Sequence, residues 1–342
     1  MSLSDFDPAA PASGEGIFGL PHTPDEARVI LLPVPWEPTT SYRKGTACGP
    51  AAILEASGQV DLYDRDTGRP YEAGIAMLEP DPEIVAWNRE ACELAQPIID
   101  AGGAGDDAEL RENLAEVNAL SAKLDERVEA IATAWLERGK LVGLVGGDHS
   151  TPFGLVRALA KRHRGLGVLH IDAHADLREA YEGFSGSHAS IMHNVHERIP
   201  EVECIVQVGI RDFSEAEAQM SARSPRLRTF YDADLAQHLA EGQPFVTICR
   251  AIVSALPRTV YVSLDIDGLD PSLCPNTGTP VPGGLSFRDL CTLLRVLVES
   301  GRTVVGFDVN EVAGEGEWDA IVGARVLYKL VGYALKSAAP QD

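Results

Sequence analysis

The sequence predicts an α/β protein in three layers, with helices on both faces of a mostly parallel central sheet. Apolar, β-branched runs recur at residues 28–34, 140–145, 167–171, 204–210, 259–264 and 303–308. Helical patterns fall between or after them at 50–63, 110–138, 153–164, 244–256, 286–300 and 320–335. That alternation belongs to parallel sheets whose strands are buried on both faces. A second observation is that acidic or imidazole side chains follow four of the runs, at 148–149, 172–176, 265–270 and 311. Open parallel sheets bind ligands there, beyond the carboxyl ends of their strands.

In chain order, residues 1–26 read as an N-terminal arm and 27–338 as a single domain, because no repeat or linker divides them. The first strand leads into a polar loop, Thr39-Thr40-Ser41-Tyr42-Arg43-Lys44-Gly45. The helix after it opens at Gly49-Pro50, where proline is tolerated. Residues 72–107 show a mixed pattern, with Gly102-Gly103-Ala104-Gly105-Asp106-Asp107 as a turn or mobile loop. In 110–138, Leu114, Val117, Leu124, Val128, Ile131 and Trp135 recur on one face of a long amphipathic helix.

Composition bounds the function. The chain of 342 residues carries 29 Lys and Arg against 51 Asp and Glu, a net charge of -22. Nucleic acid and anionic membrane are therefore poor partners, because phosphate recognition needs clustered cations. A small cationic molecule would be attracted. The six cysteines show no CxxC pair or zinc spacing, as expected of reduced thiols in the cytoplasm. Neither a leader-like start nor a membrane-length apolar stretch is read from the sequence.

Asp172, His174 and Asp176 occupy alternate positions after one strand, and Asp265 and Asp267 do so after another. Alternate side chains of an extended backbone share a side. If both strands lie in one sheet, four carboxylates and an imidazole converge. At ~4 Å and an effective dielectric of ~20, each like-charged pair costs roughly 4 kcal/mol, so the cluster needs cations, and two ions are expected. The plainer alternative is a loop in which Asp caps a helix and His lies on the surface.

Gly146-Gly147-Asp148-His149-Ser150, His170-Ile171-Asp172-Ala173-His174-Ala175-Asp176 and Ser263-Leu264-Asp265-Ile266-Asp267-Gly268-Leu269-Asp270-Pro271 resemble, in order, the three signature segments of the ureohydrolase family of arginases and agmatinases. Thr277-Gly278-Thr279-Pro280 and Gly283-Gly284 are similar to the loop that follows the third segment, and the likeness spans residues 30–333. The resemblance implies an arginase-like fold and two Mn2+ ions in an enzyme that cleaves a guanidino C–N bond and releases urea. Carried over by position, His149, Asp172, Asp176 and Asp265 would hold one ion, and His174, Asp172, Asp265 and Asp267 the other. Four carboxylates, two divalent ions and oxygen-rich donor sets suit manganese better than zinc. The resemblance further implies that His188 shuttles protons, that Asp176 takes up a proton, and that Glu311 receives the substrate's guanidinium. Asp148 is expected to orient a neighbouring imidazole, and Asp270 to serve a turn or to support a neighbouring ligand. A homo-oligomer, trimer or hexamer, is also implied.

Agmatine is the first substrate expectation, because His174-Ala175-Asp176-Leu177-Arg178 and Ser187-His188-Ala189 are similar to agmatinase-like members. Two departures keep other substrates open. Arg178 stands where arginases carry Asn; it would pair either with a substrate carboxylate, as in guanidinobutyrate, guanidinopropionate or formimidoylglutamate, or with Glu179 or Glu182. After Glu311, Trp318 and Asp319 are the counterparts offered for the segment that reads substrate tails. A deacetylase-like amidohydrolase would need an adjacent His pair, which the sequence lacks. A non-enzymatic relative would be expected to have lost ligands, and all six are present.

Overall fold

The computed structural model describes residues 6–10 and 14–339; positions 1–5 and 11–13 of the expected arm lie outside the described residues. Eight strands, β1 Val29–Val34, β2 Ile75–Met77, β3 Leu141–Gly146, β4 Leu166–Ile171, β5 Val202–Ile210, β6 Leu227–Tyr231, β7 Thr259–Leu264 and β8 Thr303–Val309, form one sheet in the order β2-β1-β3-β8-β7-β4-β5-β6. Every pairing is parallel.

The helices are α1 Gly49–Ser57, α2 Pro82–Asp100, α3 Ala108–Glu137, α4 Phe153–Arg162, α5 Ile191–Arg198, α6 Glu215–Arg223, α7 Asp232–Ala240, α8 Phe245–Ser254, α9 Phe287–Glu299 and α10 Glu317–Ser337. Alternation along β1 shows how they cover the sheet. Val29 and Leu31 enter a core shared with α1, α8, α9 and α10, whereas Ile30 and Leu32 enter the opposite core with α2, α3, α4 and α5. Both faces are thus buried, and the polar groups that bind and react are left to the strand ends.

Six strands fall where the apolar runs predict them. The other two, β2 and β6, are the sheet's edges. They are short, and β6 is only partly buried over most of its length, so neither carries the continuous apolar run of a central strand. Helix α2 occupies the segment of mixed pattern; Asp81 caps its start by accepting from the Glu83 and Ile84 amides. Asp107, at the end of the glycine-rich turn, caps α3 in the same way. Within the segment expected as an arm, Ile17, Phe18 and Leu20 are buried, and Phe18 packs edge-on against Tyr328 of α10. No helix of the described residues is long and apolar enough to cross a membrane.

Lys329 of α10 fastens the turn that follows α1. Its ammonium lies 2.6 Å from Asp64 and 2.8 Å from Asp66, with its side chain 11% exposed. Lys329→Met leaves two carboxylates facing each other without their cation and should lower unfolding stability by roughly 3 kcal/mol. Denaturant titration measures this, and an unchanged midpoint would contradict the assigned role.

Candidate metal centre and active site

The carboxyl ends of β3, β4 and β7 bring the predicted residues into one buried cluster. Strands β4 and β7 are neighbours with Ile171 opposite Leu264, so Asp172 and Asp265 leave the sheet side by side. Gly268 allows this approach, because a Cβ there would fall 2.6 Å from the Asp172 amide nitrogen. His149 arrives from β3 on a turn held by the Asp148 amide, which donates to the Trp36 carbonyl at 2.7 Å.

Around Nδ1 of His149 stand Asp172 Oδ2 at 2.9 Å and the Oδ2 atoms of Asp176 and Asp265, each at 3.3 Å. Around Nδ1 of His174 stand Asp267 Oδ2 at 3.0 Å and Asp172 Oδ1 at 3.5 Å. Asp172 therefore offers one oxygen to each imidazole group. Ligand atoms about 2.1 Å from one ion and at right angles to each other lie about 3 Å apart, so the first group has the spacing of a shared coordination shell. The cluster could bind metal, and its chemistry without one supports that reading. Burial, with Asp267 and Asp172 alongside, pushes the Asp265 carboxyl well above the carboxylate range. Burial and Asp172 push Asp176 up to about 7. Although burial opposes its charge, His174 is raised to about 12 by Asp267 and Asp172. In the absence of a cation, protons neutralise the site.

Side chains beneath the cluster fix its orientation. His149 Nε2 lies 2.9 Å from Ser263 Oγ, which donates to Asp308 Oδ1 at 3.1 Å. His149 then donates through Nε2, which leaves Nδ1 as the nitrogen that would bind a metal. Asp265 Oδ1 accepts from the Asp267 amide, and Asp267 Oδ1 from the Ala173 amide. Asp176 and Glu311 adopt left-handed backbone, with φ of 53° and 62°, a conformation that non-glycine residues seldom hold and that recurs at functional sites.

Glu311 is buried beside the cluster, with Oε1 accepting from the His149 amide at 3.0 Å. Burial, together with Asp265 and Asp148, raises its carboxyl well above the ordinary value; an incoming cation would reverse that. His188 Nδ1 lies 3.1 Å from Thr39 Oγ1, which is also 3.3 Å from Asp148 Oδ2. Asp148 thus meets an imidazole through Thr39, and Asp270 accepts from the Ser272 amide in a turn. Burial, with His174 and His149 nearby, lowers His188 to about 4.

A pocket opens over the cluster, lined by His174, Asp176, Arg178, Tyr181, His188 and Asp212 among others. Arg178 lines it, but its partner is neither Glu179 nor Glu182. The guanidinium Nε lies 3.6 Å from Glu217, and the group stacks over Tyr181 at 5.0 Å. Trp318 and Asp319 are engaged elsewhere. The Trp318 indole is half exposed and donates to the Ser272 carbonyl, while fully buried Asp319 accepts from the Asn276 amide and the Cys274 thiol. Asp319 thereby holds the loop after the third segment. Asp212 and Glu217 follow β5, a fifth polar strand end, but the intervening Ile210-Arg211 and Phe213-Ser214 give them no alternation to flag them.

The arginase-family model matches residues 27–332. The chain belongs to the arginase family. Its membership makes it an enzyme of the ureohydrolase type. N(1)-aminopropylagmatine ureohydrolase of Thermus thermophilus is 34% identical, over 92% of this chain and 94% of the relative. An agmatinase of Pyrococcus horikoshii is 29% identical, over 91% and 93%. Among solved structures, agmatine ureohydrolase of Thermoplasma volcanium superposes with a TM-score of 0.71 at 23% identity, covering 97% of this chain and 96% of that one. This likeness shows the arginase-type fold.

The raised carboxyl of Asp176 sets a pH dependence. In the metal-free fold Asp176 keeps its proton up to about pH 7, against about 3.8 for an ordinary aspartate. The folded state therefore binds more protons across that interval, and metal-free stability falls as pH rises through it. Thermal unfolding of chelated protein should show a smaller decline in Asp176→Asn than in the unaltered chain, and equal slopes would contradict the assignment.

Proposed function

We propose that the protein is a binuclear manganese ureohydrolase that cleaves agmatine to putrescine and urea. The observation that supports this most is the division of Asp172 between the two imidazole groups, 2.9 Å from His149 and 3.5 Å from His174. In this reading His149, Asp172, Asp176 and Asp265 hold one ion, and His174, Asp172, Asp265 and Asp267 the other. One imidazole with several carboxylate oxygens per ion suits manganese. Such a pair, when bound, supplies a water acidic enough to stand as hydroxide at neutral pH.

The protein's own groups then divide the remaining work. Glu311, fixed by the His149 amide, receives the planar guanidinium and sets its carbon before the nucleophile. Asp176 takes the nucleophile's remaining proton as the tetrahedral carbon forms. His188, neutral at neutral pH and lining the same pocket as Asp176, relays that proton from Asp176 to the departing amine nitrogen, so the proton taken from the nucleophile is the one delivered to the leaving group. The C–N bond breaks, with putrescine leaving as the amine and urea remaining.

For the substrate, the charges at the pocket mouth favour a cationic tail. Asp212 lines the pocket and forms no ion pair among the described residues, whereas the positive charge of Arg178 is already met by Glu217. The names of the relatives point the same way, both agmatine and its aminopropyl derivative being cationic guanidino compounds. A guanidino acid is the reading Arg178 alone would favour. Assembly as a trimer or hexamer belongs to the same proposal and rests on family likeness.

Urea release with manganese, measured on agmatine, N(1)-aminopropylagmatine, arginine, guanidinobutyrate and guanidinopropionate, with formamide release from formimidoylglutamate, tests the substrate. Agmatine should give the highest kcat/KM; turnover confined to the acids would overturn the choice. Glu311→Gln keeps the shape and removes the charge, and should lower kcat/KM on agmatine by about 100-fold, the loss of ~3 kcal/mol for an unpaired buried charge. A change within threefold would remove Glu311 from its role.

A further inference from the structure

A row of polar side chains crosses the sheet one layer below the acidic cluster. In register across neighbouring strands stand Thr229 on β6, Gln207 on β5, His170 on β4 and Ser263 on β7. Such residues are costly inside a parallel sheet unless their hydrogen bonds are complete. Gln207 and His170 are both fully buried, and neither is needed to hold the sheet, whose strands are bonded through their backbones.

The bonds of this row have only one consistent set of directions. Gln207 Nε2 lies 2.6 Å from the Ala175 carbonyl; a carbonyl only accepts, so the amide NH2 must face it. The same Nε2 lies 3.1 Å from His170 Nδ1, while Thr229 Oγ1 donates to Gln207 Oε1 at 3.0 Å. Ser221 Oγ, 2.6 Å from Thr229, must then donate to it. With an NH2 facing it, His170 Nδ1 is an acceptor and carries no proton. The ring's single proton is therefore on Nε2, which donates to Asp172 Oδ2 at 2.8 Å.

We propose that His170 is a positioning residue for Asp172, with its tautomer set by Gln207. The inference rests on the reading of Asp172 as the carboxylate shared by two ions. Asp172 Oδ2 also faces His149, while Oδ1 faces His174, so rotation of this one carboxylate would spoil both groups together. The His170 bond holds it against that rotation. Gln207 acts a second time through its bond to the Ala175 carbonyl, which pins the loop between His174 and Asp176. One amide therefore governs the shared carboxylate and the approach of a further ligand. His170 is assigned no direct bond to metal, because its Nε2 lone pair is replaced by the N–H that Asp172 accepts.

The test combines manganese binding with a direct view of the ring. Titration of the chelated full-length protein with manganese, followed by the electron paramagnetic resonance of the free ion, should show about 10- to 100-fold weaker binding in His170→Phe. Gln207→Glu should do the same, because a carboxylate at that position turns the ring to the opposite tautomer. His170→Gln places an amide NH2 near the lost Nε2–H and should restore most of the affinity. Nitrogen-15 spectra of the unaltered metal-free protein, with labelled histidine, should show His170 protonated at Nε2 only. Unchanged affinity in both H170F and Q207E, or an Nδ1–H tautomer, would overturn the proposal alone. Failure of the unaltered protein to bind manganese would overturn the metal reading and this inference with it.

Discussion

Four carboxylates and two imidazoles are gathered where strands β3, β4 and β7 end, in a volume from which water is largely excluded, and the rest of the site follows from that convergence. With the ligand atoms of each imidazole group within 4.8 Å of one another, the mutual repulsion of ionised carboxylates is roughly 3 kcal/mol for each pair even at the effective dielectric of ~20 found in proteins. Only protons or cations can relieve it. The raised carboxyls of Asp265 and Asp176 are the proton solution, and in the proposed reading a divalent pair would leave the carboxylates ionised and make water reactive. A fold that assembles such a cluster gives up stability in the metal-free state and recovers it on binding.

The parallel sheet makes the convergence possible. All its strands run the same way, so loops that carry chemistry emerge on one edge while apolar side chains fill both faces. The layer beneath the cluster differs from the other rungs of the sheet. Ser263 and Asp308 orient His149, and Gln207 meets His170, which in turn meets Asp172, so buried polar residues replace the aliphatic ones of neighbouring rungs. Arg211 adds a further tie by donating to the Asp267, Leu269 and Val281 carbonyls. The backbone strain at Asp176 and Glu311 is held by this surrounding network.

Much of this was legible in the residues themselves. The period of two at 172–176 and at 265–267 reports side chains that share a face, and the apolar runs before them report buried strands; together they foretell which groups meet. The edge strands β2 and β6 were not legible, because an edge needs neither length nor a continuous apolar run. Arg178 shows a second limit: its partner Glu217 lies far along the chain, on α6, and the acids beside it in sequence face elsewhere. Asp319 shows a third, since a carboxylate that caps a loop and one that reads a substrate look alike until the loop is folded. Gln207 is an amide within an otherwise apolar strand, and that break in the apolar run is the one sign of the polar row in the sequence.

In the proposed reading Asp172 stands between two divalent ions. Anomalous diffraction from crystals grown with manganese, collected at the manganese absorption edge, tests it most directly. Two peaks are expected, one beside His149 and one beside His174, with the Asp172 carboxylate between them. A single peak, or none within ligand distance of Asp172, would contradict it.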